Sequence, residues 1–346
     1  MSGWDGPPPT VADVGEFGLI AELRSALPAA AAESPQVPIG IGDDCAVWTP
    51  SAGESVVVTT DSLVEGVHFR TDWTDPASLG HKMLAANLSD LASMGAVPRV
   101  AVVTLGLRGD ESVADLRAMY AALGALAAGS GTVIAGGDIV RSPTAMTLHV
   151  TAIGETVGGR VLTRSGARVG DVVAVSGTIG ASAAGLALLE LDPDDPRRRA
   201  ATAGALIDAH LRPEPRLELG SLLLRSGASA AMDLSDGLLG DLPKVLAASH
   251  VSARVAPGRL PVAAAVRVLF PDRWAELAMR GGEDYELLFT APPEAFATIS
   301  AEAGRLGVPV TAIGEIVAAA GEPEVWLVDG NGRVRPADSG AFDHFG

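Results

Sequence analysis

The sequence predicts an α+β protein built from two domains. Short β-branched runs and amphipathic stretches follow one another without the strict strand–helix alternation of a doubly wound parallel sheet. The chain has 346 residues, and at about 150 residues per domain this length corresponds to about two domains. Hydrophobic residues make up 48% of the chain, which is enough to bury a large core without disulfides or metals as staples.

The helices follow from apolar spacing. Residues 1–14 are rich in Pro, Gly and Ser and predict a flexible tail. After them, Phe17, Ile20, Leu23 and Leu27 recur at helical spacing, so we expect a short amphipathic helix over Glu16–Leu27. Further helices are predicted over Ala77–Met94, Ser112–Ala128, Ala181–Leu191, Arg216–Ser226, Gly237–Ala248 and Val262–Phe270.

Strands are predicted where β-branched residues cluster. The run Val56–Val58 leads into Thr59-Thr60-Asp61, and the run Thr132–Ile134 leads into Gly136-Gly137-Asp138. We interpret both polar segments as turns that end a strand. Two longer strands are expected over Ala101–Leu107 and Met146–Ile153.

A repeated hexapeptide suggests where one domain ends. VTAIGE occurs at Val150–Glu155 and again at Val310–Glu315, and we interpret each copy as a strand that ends in a glycine turn late in a domain. The turn residues Gly158-Gly159 follow the first copy. We therefore expect an N-terminal domain over residues 15–157 and a C-terminal domain over residues 158–346.

The charge balance excludes several classes of partner. The net charge is −17, from 42 acidic and 25 basic residues, which argues against binding to nucleic acids or to anionic membranes. The first ten residues lack the basic start and apolar stretch of a signal peptide. The single cysteine, Cys45, suits a reducing compartment, and we expect it to be a small buried thiol. These features predict a soluble cytoplasmic protein.

Aspartates at the ends of apolar runs are the most informative pattern. Each lies beside Gly, Ser or Thr, where a single aspartate is usually a helix cap or a turn residue. That structural role remains the alternative for each one taken alone. Five such segments in one chain favour a common purpose: Gly42-Asp43-Asp44, Thr59-Thr60-Asp61, Asn87-Leu88-Ser89-Asp90, Gly136-Gly137-Asp138 and Asp233-Leu234-Ser235-Asp236.

If these segments converge, their charge needs compensation. Two carboxylates about 5 Å apart repel by roughly 3 kcal/mol at an effective dielectric constant of 20. Because Lys82 and Lys244 are the only lysines, we expect divalent cations to supply the positive charge. Mg²⁺ binds carboxylate, hydroxyl and phosphate oxygens, so the pattern predicts several Mg²⁺ ions with a polyphosphate. Walker A, protein-kinase, EF-hand and HExxH motifs are missing.

In this order, the segments resemble the thiamine-monophosphate kinase family. The match begins near residue 15 and extends to the end of the chain. Its motifs are GEFGLI (Gly15–Ile20), GIGDDCAV (Gly40–Val47), TTDSLVEGVHF (Thr59–Phe69), NLSDLASMGAVP (Asn87–Pro98), GGD (Gly136–Asp138), LTRSGA (Leu162–Ala167), MDLSDGL (Met232–Leu238), GGEDYELLFT (Gly281–Thr290) and FDHF (Phe342–Phe345).

The resemblance implies a fold and an activity. The fold is that of aminoimidazole ribonucleotide synthetase, with an N-terminal α+β domain that dimerises and a C-terminal α+β domain that completes the nucleotide and substrate site. The activity is phosphorylation of thiamine monophosphate to thiamine diphosphate by ATP, with several Mg²⁺ ions. We therefore expect ATP and thiamine monophosphate as small-molecule partners and a homodimer as the assembly.

The resemblance also implies roles for individual residues. The metal set is Asp43, Asp44, Thr59, Thr60, Asp61, Asp90, Asp138, Asp233 and Asp236, of which Asp61, Asp233 and Asp236 are the catalytic candidates. The nucleotide would contact Tyr120, Gly137, Asp138, Arg164 and Ser235, and the thiamine phosphate would contact His68, Glu283 and Phe342.

Each of these roles has a structural alternative. Tyr120 and Phe342 could be packing residues, His68 a buried structural histidine, Arg164 a surface turn residue, and Glu283 a partner of Arg280. At the level of the whole chain, the alternatives are another ATP-dependent synthetase or maturation enzyme of the same superfamily, or a non-catalytic protein that binds divalent cations.

Overall fold

A computed structural model describes residues 8–337 of the chain. They form two compact units. The first contains the residues up to Leu88 together with Pro98–Glu155, and the second contains Ser89–Val97 and the residues from Thr156 onward. The last turn of one long helix therefore belongs to the second unit, an arrangement that a single boundary near Gly158-Gly159 did not anticipate.

The first unit is built on a four-stranded sheet. Its strands are β1 Val56–Val64, β2 Val97–Leu107, β3 Val133–Arg141 and β4 Thr147–Glu155. They lie in the order β1-β4-β2-β3, with β1 antiparallel to β4 and β2 parallel to β3. The two outer strands, β1 and β3, are thus the edges of the sheet.

Four helices accompany this sheet: α1 Val11–Ala26, α2 Ala29–Ala32, α3 Pro76–Ser93 and α4 Val113–Ser130. α4 connects the parallel strands β2 and β3 and packs on β3, α1 and α2. Val103, Leu105 and Val150 are buried on one face of the sheet, whereas Val56 and Val58 on β1 are 48% and 61% exposed. One face of the sheet is therefore covered, and the other is left open along β1.

The first helix begins earlier than the sequence predicted. Thr10 precedes it, and the Asp13 carboxylate accepts hydrogen bonds of 2.8 Å from both the N–H and the hydroxyl of Thr10. Residues 11–14, expected in a flexible tail, are therefore helical. A kink at Gly15 (φ 70°) separates this turn from the rest. Leu19 and Leu23 form the buried stripe, while Phe17 is 83% exposed.

The second unit is built on a seven-stranded sheet. Its strands lie in the order β11-β10-β7-β9-β5-β8-β6. They are β5 Val172–Ser176, β6 Ala230–Asp233, β7 Ser252–Val255, β8 Leu287–Ala291, β9 Val310–Val317, β10 Val325–Val328 and β11 Val334–Pro336. Its helices are α5 Ala181–Leu189, α6 Ala203–Leu211, α7 Leu217–Ser226, α8 Leu238–Ser249, α9 Ala264–Leu269, α10 Trp274–Arg280 and α11 Pro293–Arg305, with a short 3-10 helix at Pro257–Arg259.

Helices cover both faces of the second sheet. On one face, Val173 and Val175 of β5 pack with α8. On the other face, Ala174 of the same strand packs with α7 and α11. Successive strand residues point to opposite faces, so both sides of β5 are buried. A further apolar cluster joins α5, α6, α9 and α10.

The α+β class with two domains is confirmed, but two predicted turns are wrong. Thr59-Thr60-Asp61 lies inside β1, and Gly136-Gly137-Asp138 lies inside β3. Both strands continue because their partners continue: Asp61 lies opposite Val150 and Asp138 opposite Thr104. The two hexapeptide copies lie in β4 and β9 as expected, although the glycine of each copy is within the strand.

No helix among the described residues is long and apolar enough to cross a membrane.

Candidate active site residues and family membership

In the first unit, two predicted metal ligands lie on an exposed loop. Asp43 and Asp44 follow Gly42, whose backbone (φ 121°) lies in the region that favours glycine. The Asp43 Oδ1 accepts a hydrogen bond of 2.8 Å from the Asp44 main-chain N–H, which orients the Asp43 carboxylate. Cys45 is exposed on the same loop, so the expectation of a buried thiol is wrong. Residues 42–47 are all exposed, so this part of the loop provides no interior in which the thiol could be buried.

The segment Thr59–Asp61 presents side chains alternately to the two faces of β1. The Thr60 hydroxyl donates to the Val150 carbonyl at 3.0 Å and contacts the Thr151 hydroxyl at 3.0 Å. Asp61 lies opposite the buried Val150, on the covered face. Thr60 and Asp61 therefore point to different faces of the sheet.

Gly137 and Asp138 lie on β3, the other edge strand. A Cβ at Gly137 would lie 1.9 Å from the Val103 carbonyl oxygen, so this close pairing of β3 with β2 requires glycine. Asp138 is exposed and lies opposite the half-buried Thr104. β4 and β2 separate β1 from β3, so the two strands that carry Asp61 and Asp138 lie about 14 Å apart across a flat sheet.

Tyr120 and His68 have defined surroundings in this unit. Tyr120 is 7% exposed on α4, and burial raises the pKa of its hydroxyl. His68 follows β1, and its Nδ1 accepts a hydrogen bond of 3.1 Å from the Val64 N–H. In the neutral ring, Nε2 therefore carries the proton.

In the second unit, Asp233 is held at the end of β6. It is 4% exposed, and its Oδ2 accepts a hydrogen bond of 2.9 Å from the Ser89 hydroxyl on α3. Asp90, the next residue on α3, is half-buried. α3 and α7 approach closely beside this hydrogen bond, since a Cβ at Gly220 would lie 1.8 Å from the Ala92 carbonyl oxygen. The structure thus brings the NLSD and MDLSDGL motifs together.

Asp236 is paired with a lysine. The Lys244 Nζ lies 2.5 Å from the Asp236 Oδ2 and 2.8 Å from the Asp241 Oδ1. The other oxygen of Asp241 accepts hydrogen bonds from the N–H groups of Ser235 and Asp236, at 3.0 and 2.9 Å. The expectation that lysine supplies no compensating charge here is therefore wrong at Asp236.

The buried Asp241 explains why this lysine is needed. Asp241 is fully buried, and burial raises the pKa of its carboxyl, while Lys244 lowers it in part. Burial alone would lower the pKa of Lys244, but hydrogen bonds to Asp236 and Asp241 raise it above its ordinary value. The pairing of Asp241 with Lys244 was not predicted from the sequence, although their i, i+3 spacing on a helix was a usable signal.

The GGEDYE motif (residues 281–286) has no regular secondary structure, and main-chain hydrogen bonds hold it against Leu234 and Ser235. Glu283 and Tyr285 have φ angles of 62° and 51°, which is unusual for residues other than glycine. The Glu283 N–H donates to the Ser235 carbonyl at 2.8 Å, and the Tyr285 N–H donates to the Leu234 carbonyl at 3.0 Å. These bonds place Glu283 beside Ser235 and Asp236.

Two acidic residues of the same motif anchor it. The Asp284 carboxylate accepts N–H bonds from Gly180 at 2.6 Å and Ser182 at 3.0 Å. Burial nevertheless raises the pKa of Asp284 to about 7, against the lowering effect of those bonds. Glu286 is 4% exposed and receives two hydrogen bonds from Arg216, at 2.9 and 2.6 Å. Two of the three acidic residues in the motif are thus held by hydrogen bonds to neighbouring segments.

Arg164 and Phe342 are the remaining predicted site residues. Arg164 is exposed on the loop that follows Leu162, and its carbonyl accepts a hydrogen bond of 3.1 Å from the Ser249 hydroxyl. The same hydroxyl accepts from the N–H groups of Gly166 and Ala167, which fixes the loop. Phe342 and the FDHF motif lie outside the described residues.

The predicted metal ligands are distributed singly or in pairs among the described residues. Within residues 8–337, no three His, Cys, Asp or Glu side chains form a group that could hold a metal ion. Mg²⁺ usually takes only one or two carboxylates and completes its shell with water and phosphate oxygens. The adjacent Asp43 and Asp44 and the exposed Asp138 offer oxygen donors of the kind that Mg²⁺ accepts, whereas Asp236 already has a cation in Lys244.

Comparison with known proteins assigns the chain to a family. Residues 42–156 match the N-terminal domain model of AIR synthase related proteins, and residues 168–326 match the C-terminal domain model. The thiamine-monophosphate kinase of Escherichia coli K12 is 41% identical over 334 residues, which cover 96% of this chain and 98% of that protein. The chain belongs to the thiamine-monophosphate kinase family. The resemblance found in its motifs is thus confirmed.

Solved structures of the kinase family share this architecture. The crystal structure of thiamine-monophosphate kinase from Stenotrophomonas maltophilia K279a is 40% identical, with a TM-score of 0.80, and the match covers 90% of this chain and 96% of that one. A structure described as AaThiL complexed with AMPPCP and TMP is 32% identical, with a TM-score of 0.73, and the match covers 96% and 97% of the two chains. Both similarities extend over both units of this kinase-family chain.

Proposed function

We propose that the chain transfers the γ-phosphate of ATP to thiamine monophosphate and so forms thiamine diphosphate. Family membership over nearly the whole chain carries this proposal, together with the relative whose structure is described with AMPPCP and TMP. The activity requires a site for two phosphorylated substrates on a protein with a net charge of −17. The carboxylate-rich motifs supply such a site through bound cations.

The chemistry of the donor groups supports Mg²⁺ as the cofactor. Mg²⁺ ions would be held by oxygen atoms of the predicted metal set. In the first unit the candidates are Asp43, Asp44, Thr59, Thr60, Asp61 and Asp138, and in the second unit they are Asp90 and Asp233. When bound, the ions neutralise phosphate charge in the transition state. Asp236 would contribute through the ion pair with Lys244, which brings a protein cation to the same carboxylate.

The acceptor needs little help from a general base. The attacking atom is a phosphate oxygen, which is already an anion at neutral pH. Positioning and charge neutralisation therefore account for most of the catalysis. We infer direct in-line transfer without a phosphoenzyme, with Gly137, Ser235, Arg164 and Tyr120 contacting the nucleotide.

Three residues are proposed to bind the thiamine phosphate. His68 has its Nδ1 occupied by the Val64 N–H, so it would act as a donor through Nε2. Glu283 carries its carboxylate on a segment fixed by main-chain bonds. Phe342, which lies outside the described residues, would stack on an aromatic ring of the substrate.

A second copy of the chain is the proposed partner of the open sheet face. Val56 and Val58 expose apolar surface on the edge strand β1, and Val140 is 47% exposed on the opposite edge strand β3. Unpaired edges and exposed apolar side chains favour association. We place this dimer in the cytoplasm.

Product formation tests the function. The protein is incubated with ATP and Mg²⁺, with and without thiamine monophosphate, and thiamine diphosphate is followed by chromatography. We expect product only when both substrates and the metal are present. ATP binding without formation of thiamine diphosphate would show that thiamine monophosphate is not the acceptor. Other phosphate compounds would then be tested as acceptors.

A further inference from the structure

The contacts of Glu283 identify a histidine that the sequence motifs did not single out. His210 lies in the last turn of α6 and is 3% exposed. Its Nδ1 lies 3.5 Å from the Glu283 Oε2 and 3.0 Å from the Ser182 hydroxyl. A buried imidazole is thus placed against the carboxylate of a proposed substrate residue.

The first turn of α5 connects this histidine to the GGEDYE motif. The Ser182 main-chain N–H donates to the Asp284 carboxylate at 3.0 Å, while the Ser182 side chain contacts His210. The Gly180 N–H donates to the other Asp284 oxygen at 2.6 Å. α5, α6 and the motif are therefore connected by hydrogen bonds through Ser182, next to the contact between His210 and Glu283.

The backbone conformation of Glu283 indicates that the surrounding contacts hold this residue in place. A φ of 62° is a strained conformation for glutamate, and such residues persist where the surrounding structure fixes them. Main-chain bonds to Ser235 and Leu234 fix the backbone of the motif. They leave the direction of the Glu283 side chain to contacts of its carboxylate, and His210 makes one of these from a buried position.

We propose that His210 is a positioning residue for acceptor binding. In this role the His210 Nδ1–H faces both the Ser182 hydroxyl oxygen and the Glu283 carboxylate and orients that carboxylate, and His210 itself does not touch the substrate. The inference rests on the proposed function, in which Glu283 contacts thiamine monophosphate. It assigns to the α5–α6 cluster a role in acceptor recognition and none in nucleotide binding.

Two variants of His210 separate this role from simple packing. His210→Leu removes the hydrogen-bonding nitrogen, whereas His210→Asn keeps a donor close to the position of Nδ1. Ile207→Ala is the matched control, because Ile207 lies on the same helix and packs against the neighbouring apolar cluster. For each protein, calorimetry measures the Kd for thiamine monophosphate and, separately, the Kd for AMPPCP with Mg²⁺.

We expect His210→Leu to weaken thiamine monophosphate binding by about tenfold or more while leaving AMPPCP binding unchanged. His210→Asn should restore most of the affinity. Ile207→Ala should lower the unfolding temperature without changing the affinity for thiamine monophosphate.

Three results would overturn the inference while leaving the proposed function intact. They are unchanged thiamine monophosphate affinity in His210→Leu, equal losses for both ligands, and a His210→Asn variant as weak as His210→Leu. Wild-type protein that binds AMPPCP but not thiamine monophosphate would instead overturn the proposed function, and the role of His210 with it.

Discussion

Asp61 and Asp233 are held in different ways, although both are proposed metal ligands. Asp61 is half-buried in the middle of an edge strand, whereas Asp233 is 4% exposed and accepts a hydrogen bond from Ser89. An asparagine preserves the size of either side chain and an oxygen acceptor, but it removes the charge that a divalent cation requires. Loss of charge and loss of structure can therefore be separated at both positions.

Asp61→Asn and Asp233→Asn should each lower turnover by about 100-fold or more, because transition-state charge loses its compensation. Circular dichroism and thermal unfolding should remain close to wild type. Asp272→Asn, at an exposed position, is the control and should keep full activity. Near-normal turnover in both site variants would refute the metal assignment.

The buried Asp284 predicts a pH dependence of stability. Its pKa is about 7 in the folded protein, against an ordinary value of 3.8, because burial disfavours the charged form. The folded state therefore binds more protons than the unfolded state between these values, and this group's contribution to stability falls as pH rises from about 4 to about 7.

Urea unfolding of wild type and Asp284→Asn, at pH 5 and at pH 8, isolates this contribution. The stability of wild type relative to Asp284→Asn should be higher at pH 5 than at pH 8. A relative stability that does not change with pH, or that rises with pH, would show that the Asp284 pKa is not raised. The comparison subtracts the titration of the other acids and histidines, which both proteins share.

At the scale of elements, β3 shows how a glycine motif can be misjudged from sequence. Gly136-Gly137-Asp138 was predicted as a turn because paired glycines usually break strands. In the structure, the strand continues, and Gly137 is required because β2 approaches too closely for a Cβ. The backbone approach depends on the partner strand, which the local sequence does not specify.

Gly137→Ala should lower both stability and activity, since its Cβ would lie 1.9 Å from the Val103 carbonyl oxygen and displace the strand that carries Asp138. Gly129→Ala is the matched control: it lies in α4 with nothing within 4 Å of an added Cβ, and alanine favours a helix. Thermal unfolding and turnover are measured for both. A Gly137→Ala protein as stable and active as Gly129→Ala would contradict this account.

The other elements show what sequence patterns could and could not establish. α3, α4, α5, α7, α8 and α9 were predicted within a few residues of their observed bounds, because apolar spacing defines them locally. α11 was missed despite buried Ile299 and Ala303 one turn apart, a spacing that was a usable signal. β8 was identified only as part of a motif, since its burial on both faces gives no alternating pattern.

The candidate site was predicted less completely than the fold. The acidic motifs were located from sequence, but Lys244 and His210 were not, because their roles depend on contacts between separate segments. The placement of Asp61 and Asp138 on opposite edges of one sheet likewise depends on strand order. The motifs identify which reactive side chains are present. Contacts between separate segments determine which of those side chains lie together.

At the scale of the whole molecule, the open face of the first sheet predicts self-association. Val58→Arg places a charge at a position that is 61% exposed on β1, where it would disrupt an apolar interface at little cost to the folded chain. Light scattering should show a dimer for wild type and a monomer for the variant. Val268→Arg, at a 72% exposed position on α9, should remain dimeric. A dimeric Val58→Arg protein would contradict the proposed interface.

The central claim is transfer of the γ-phosphate of ATP directly to thiamine monophosphate. The most direct test incubates the protein with γ-³²P-ATP, Mg²⁺ and thiamine monophosphate and follows the label. The account predicts label in thiamine diphosphate, none on the protein, and no thiamine diphosphate when Mg²⁺ is removed. Label recovered only as inorganic phosphate, or bound covalently to the protein, would contradict it.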